Sequence, residues 1–152
     1  MYAVFLNRPL ILLERLLNPL QPLLLLVTRW YVSWQFLKSG WLKVTTWDST
    51  LDLFRNEYHV PLLPPVAAAM VGAFGELFFP VLLVLGIGGR IGALGLFAVN
   101  VMAVVSYSQV LLAEGFEAAL AQHVLWGFML LMLAVFGNGS WSLDRLLGVP
   151  RR

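Results

Sequence analysis

The chain has 152 residues, 60% of them hydrophobic and 12% charged, with a formal net charge of +2. That composition excludes an ordinary water-soluble globule and points to a membrane protein. The absence of cysteine excludes dithiol relays, thiolate zinc sites, iron-sulfur ligation and cysteine-attached haem. The small positive charge is read as a matter of topology, with no nucleic-acid partner.

The first segment, "NRPLILLERLLNPLQP", is predicted to form a short amphipathic helix lying in the membrane interface, with Leu10, Leu13, Leu16 and Leu17 on its apolar side. Arg8, Glu14 and Arg15 interrupt any apolar run there and no small-residue cleavage site follows, so the N-terminus is expected to be retained. Four apolar windows of spanning length follow, near 22–42, 65–86, 91–112 and 119–136. Between the first two, "WDSTLDLF" predicts a short helix capped by Asp48 or Ser49 and carrying Leu51, Leu53 and Phe54. Pro64 and Pro65 suit the start of the second span. "GIGGR" and "AEGFEA" are short enough to predict antiparallel hairpins. The glycines of the first lack the preceding strand and the following Lys-Ser or Lys-Thr of a phosphate loop. The expected fold is all-α: one domain over 1–152, an integral membrane antiparallel four-helix bundle with a short interfacial helix at its N-terminus. Gly72, Gly75, Gly92, Gly95 and Ala98 are expected where its backbones approach closely.

Lys and Arg distribution orients the bundle. Arg8, Arg15, Arg90, Arg145, Arg151 and Arg152 gather with the termini and the second turn, whereas Lys38, Lys43 and Arg55 on the other side are accompanied by acidic residues. Both termini are therefore expected in the cytoplasm, in a multi-pass protein of a bacterial inner membrane.

Polar residues within the spans supply the candidate site. At 100° per residue, Arg29, Ser33, Phe36, Gly40 and Lys43 form one stripe, while Gly72, Glu76, Pro80 and Leu83 form another. Arg29 lies about 10 Å inside from Pro22, and Glu76 about 16 Å from Pro65. Because a lone charge at mid-bilayer costs at least about 2.5–3.5 kcal/mol, Arg29 and Glu76 are predicted to face each other inside the bundle. Such a pair either fixes helix register or builds a polar cavity or proton path. Lys43, Asn100, Tyr107, Gln109, Gln122 and His123 are predicted to line an outward-facing pocket that Trp41, Trp126 and Phe128 cover. Lys38 and Lys43 also suit snorkelling anchors at the outer interface. His59 and His123 lack a recognisable ligand spacing, so no metal site is predicted. Met70, Met102, Met129 and Met132 are assigned to packing.

"FLKSGWLKV", "GELFFPVLLVLGIGGRIGALGLFAVNVMAV" and "GNGSWSLDRLL", in that order and at those span positions, resemble the DoxX family of four-helix membrane proteins. The first loop, "SWDSTLDLF" followed by "EYHVPLLPP", resembles a branch encoded beside modified copper-binding peptides and their maturation enzymes. The resemblance implies a membrane subunit associated with quinone-linked oxidation or redox stress. It carries Arg29, Lys38 or Lys43, Glu76 and Asp144 onto the charged positions of the family pattern. No cofactor is expected to be covalently bound, and any electron passes through a bound quinone or a partner's cofactor. The expected function is an accessory subunit of a quinone-linked oxidoreductase or redox-stress system. The alternative is a non-catalytic scaffold or transporter serving a copper-binding modified peptide. Expected partners are membrane lipid and oxidoreductase or peptide-maturation proteins, with a homo-oligomer left open. No nucleophile, metal cluster or nucleotide motif supports a free-standing enzyme.

Overall fold

The computed structural model describes residues 11–149. Leu10 and the charges at Arg8, Arg151 and Arg152 lie outside the described residues. The elements are α1 Leu20–Thr45, α2 Trp47–Asn56, α3 Pro65–Leu85, α4 Ile91–Ser106, α5 Ser108–Leu111, α6 Glu117–Phe136 and α7 Leu143–Leu146. Among the described residues there is no strand. α1 packs on α3, α3 on α4 and α4 on α6, and α6 returns to touch α1.

Among the described residues three helices are long and apolar enough to cross a membrane: Ile11–Thr45, which includes the helical residues 11–17, then Pro65–Leu85 and Glu117–Phe136. Residues 11–17 run on into α1 through a turn at Asn18 and Pro19, closed by the Asn18 N–H on the Glu14 carbonyl at 2.8 Å. Every residue from 11 to 20 is exposed, Leu13, Leu16 and Leu17 with their charged neighbours Glu14 and Arg15.

The fourth apolar helix, α4, has only 16 residues, shorter than the predicted 91–112 span. Its ladder stops because the Ser106 carbonyl turns away to accept the His59 N–H at 2.9 Å, leaving Val110 N–H to bond Tyr107. The chain resumes as the short α5, so the first loop and the end of α4 are joined through backbone.

The predicted loop helix is α2, with Phe54 buried against Ala68 and Ala69 at the start of α3. Its N-cap is Thr46, two or three residues earlier than expected, and no side-chain cap bond forms. The Thr46 hydroxyl instead donates to the Leu42 carbonyl at 2.8 Å, finishing α1 where α2 begins. Pro64 and Pro65 take the N-cap and N1 positions of α3 as predicted. At its other end Gly86 adopts φ +68°, and Ile87 N–H reaches the Leu82 carbonyl at 3.0 Å, a Schellman closure that starts the "GIGGR" turn.

The main core joins Val32 and Phe36 of α1 to Leu83, Leu96, Leu130 and Leu133. Gly75 faces Val99 and Gly92 faces the backbone of Leu83, both closer than a Cβ would allow. Gly40, which the small-residue prediction omitted, sets α1 directly on the Cβ and carbonyl carbon of Glu76. Ala98, by contrast, is exposed.

Candidate functional site

The predicted Arg29–Glu76 pair does not form; each charge has other partners. Antiparallel packing that sets Gly40 against Glu76 brings Arg29 level with Gly86, at the far end of α3. Depths counted from the prolines missed this because α1 begins before Pro22 and runs on to Thr45. Arg29 and Lys43, fourteen residues apart, stand about 21 Å apart along one helix.

Glu76 pairs with Lys43. The ammonium lies 2.9 and 2.7 Å from the two carboxylate oxygens and 2.8 Å from the Ser39 hydroxyl. The two side chains are only 13% and 9% exposed. One turn beyond Gly40, Lys43 reaches back to the carboxylate, while its own carbonyl accepts the Thr50 hydroxyl of α2 at 3.0 Å. Pro80, four residues after Glu76 in α3, removes the N–H that would have bonded the Glu76 carbonyl.

Arg29 is 1% exposed and held by carbonyls. Nη1 donates to Asn138 and Nη2 to Trp141 at 2.6 Å. Those acceptors follow the C-terminus of α6, and Gly86, which leaves room for Nη1, is the C-cap of α3. The partial negative charges of two helix ends thus offset the guanidinium without a carboxylate. Asp144 completes this end of the bundle by accepting Gly88 and Gly89 N–H at 3.1 and 2.7 Å. The "GIGGR" turn and the "SLD" of the tail are therefore one construction.

The outward pocket predicted from Lys43, Asn100, Tyr107, Gln109, Gln122 and His123 is divided into separate contacts. Asn100 donates to the His123 carbonyl at 2.9 Å, and the Asn100 amide oxygen lies 2.9 Å from His123 Nδ1. Tyr107 donates to the Glu57 carboxylate at 3.0 Å, and Gln109 donates to the Glu57 carbonyl. Gln122 is exposed. Trp126 stands edge-on to both Phe36 and His123, with centroids 5.6 and 5.0 Å away. Of the pocket's three predicted covers, Trp41 and Phe128 are 67% and 62% exposed, and Trp126 is half-buried. His59 is exposed, its Nδ1 3.1 Å from the Glu57 carbonyl. No group of three or more metal-ligating side chains occurs among the described residues.

Glu57 and Tyr58 escaped the sequence reading because both lie in a connection without periodicity. Tyr58 packs edge-on between Phe54 and Tyr107, each centroid 4.8 Å away. Burial, followed by the negative charge of Glu76, pushes its phenol up to about 12 from an ordinary value near 10. Below pH 10 the phenol is protonated folded or unfolded. Between about 10 and 12 only the unfolded chain ionises, so stability falls as pH rises. Tyr58→Phe is expected to move the onset of alkaline unfolding upward, followed by circular dichroism in detergent.

No curated protein and no solved structure matches the chain. The DoxX family model matches residues 24–109, more than half of the chain. The match takes in α1 from residue 24 onward and all of α2, α3 and α4, and with them the Lys43–Glu76 pair, Arg29 and Asn100. With apolar helices of membrane-crossing length and that match, the chain is a membrane protein and belongs to the DoxX family.

Proposed function

We propose that the protein is an accessory integral subunit of a quinone-linked oxidoreductase system in a bacterial inner membrane, a four-span protein with both termini in the cytoplasm. Its contribution is a membrane-embedded docking face, while the redox cofactor and quinone belong to a partner. The observation that carries this is how α1 divides its side chains. Arg29, Val32, Ser33, Phe36 and Gly40 are buried, whereas Trp30, Trp34 and Trp41 are 54–67% exposed, with exposed Lys38 among them. At 100° per residue those four fall within about 80°. Tryptophan offers a large amphipathic contact to a protein partner or the membrane interface. Lys38, about 10 Å from the end of α1, gains from a polar or acidic group on a neighbour at that depth.

The interior does not suit a quinone ring. All three donors of Lys43 are engaged, Asn100 and His123 bond each other, and Trp126 packs edge-on against both His123 and Phe36.

Purification of the full chain in mild detergent tests this assignment. An oxidoreductase subunit is expected to accompany the wild type. The Trp34→Ala/Lys38→Glu double variant should lose it by about tenfold while its unfolding midpoint stays unchanged. Recovery of peptide-maturation proteins alone, as a copper-peptide scaffold would give, would overturn the redox assignment.

A further inference from the structure

At the end of the bundle opposite the Lys43–Glu76 pair lies a cavity of about 720 Å³, between the start of α1, the α3–α4 turn and the tail around α7. Gln21, Arg90, Asn138 and Arg145 are among its polar lining residues, and Leu25 and Phe136 among its apolar ones. Three of its features point to an anionic ligand. Two arginines border it. Asp144, also in the lining, has its two oxygens turned to Gly88 and Gly89 N–H, so its charge is drawn into the turn. The Asn138 side-chain amide is buried with its Nδ2 lacking any acceptor among the described residues, although the carbonyl of the same residue accepts Arg29. A buried donor without an acceptor is costly, and because Asn138 lines the cavity, a small rotation of its amide would bring the donor to an oxygen-rich anion there.

We propose that this cavity binds a phosphate group, the phosphodiester of an anionic lipid headgroup being the source its mixed lining favours. The arginines flank the phosphate, Asn138 Nδ2 donates to one of its oxygens, and the glycerol and first acyl carbons lie along Leu25 and Phe136. The site lies where the helices end, at the level of lipid headgroups, and basic pockets between membrane helices are suited to such ligands. Arg29 stands behind it, joined through the Asn138 and Trp141 carbonyls, and adds positive potential without touching the ligand.

The test uses the full chain, purified and delipidated, with short-chain phosphatidylglycerol, short-chain phosphatidylcholine and inorganic phosphate as separate probes, read by native mass spectrometry. Phosphatidylglycerol should bind, and Arg90→Gln/Arg145→Gln should weaken it by at least about tenfold. Arg145→Gln alone, an exposed change on a short helix, should give a smaller loss with the thermal midpoint unchanged, which separates binding from folding. Asn138→Asp, which exchanges the donor for a repelling charge, should also weaken it, whereas Lys38→Gln at the other end should not. Phosphatidylcholine should bind more weakly because its headgroup is neutral overall. Competition by inorganic phosphate as effective as that by the lipid would support a phosphate site but assign it to free phosphate. Phosphatidylglycerol binding that survives both arginine substitutions, or no binding of either phosphate probe, would overturn the proposal.

Discussion

Glu76→Leu is expected to destabilise the protein by about 3–5 kcal/mol, the range for removing one member of a buried ion pair. The loss arises from what remains. Lys43 would keep its charge at 13% exposure, with only Ser39 in reach of an ammonium that now has three donors for two fewer acceptors. Lys43→Met alone should cost a similar amount, because the Glu76 carboxylate would then be stranded against Gly40. The Lys43→Met/Glu76→Leu double variant should recover most of either loss, since replacing a whole buried pair by apolar groups of similar volume is often close to neutral. Unfolding in detergent of the four proteins gives the coupling as a double-mutant cycle, and simple additivity would show that the charges do not act as a pair. The double variant also separates stability from assembly. If the outer face of α1 alone recruits the partner, a folded protein without the ion pair should still co-purify with it.

Much of this architecture is legible in the sequence, and its failures share one cause. Helical periodicity identified the buried face of α1, and Arg29, Ser33, Phe36 and Gly40 are all buried as that stripe requires. Proline and glycine placed both ends of α3 and its turn. What periodicity cannot supply is the axial offset between two helices. Arg29 and Lys43 occupy the same stripe, and only the seating of Gly40 on Glu76 decides which of them the carboxylate meets. Composition could have hinted at it, because a glycine one turn before a lysine allows the backbone approach that a reaching side chain needs. The predicted pocket failed for a related reason. Asn100 and His123 satisfy each other across α4 and α6, while Tyr107 and Gln109 turn to Glu57 in a connection whose position no spacing rule fixes.

Arg29→Met is the second substitution with a large expected effect, about 3–5 kcal/mol, and its mechanism differs from that of Glu76→Leu. No carboxylate balances Arg29 in an ion pair within 4.0 Å among the described residues. Its charge rests on the Asn138 and Trp141 carbonyls and on the C-terminal ends of α3 and α6. Methionine would fill the space of the stem but leave both carbonyls without a donor. Arg29→Lys tests the geometry, because an ammonium is a single point where the guanidinium is a planar fork. It keeps the charge near the helix ends, yet is expected to serve one carbonyl well and cost about 2 kcal/mol. The order wild type, lysine, methionine should hold both for the unfolding midpoint and for the rate of proteolysis within 137–149, the segment the guanidinium ties down. A lysine variant as labile as the methionine variant would show that the fork, rather than the charge, organises this end of the bundle. A methionine variant as stable as wild type would show that the helix ends need no cation between them. Because Asp144 closes the adjacent turn independently through Gly88 and Gly89, Asp144→Asn should loosen that turn by a smaller amount and leave the Arg29 contacts intact. A difference in protease sensitivity between the two positions would therefore reveal which half of the construction holds the tail.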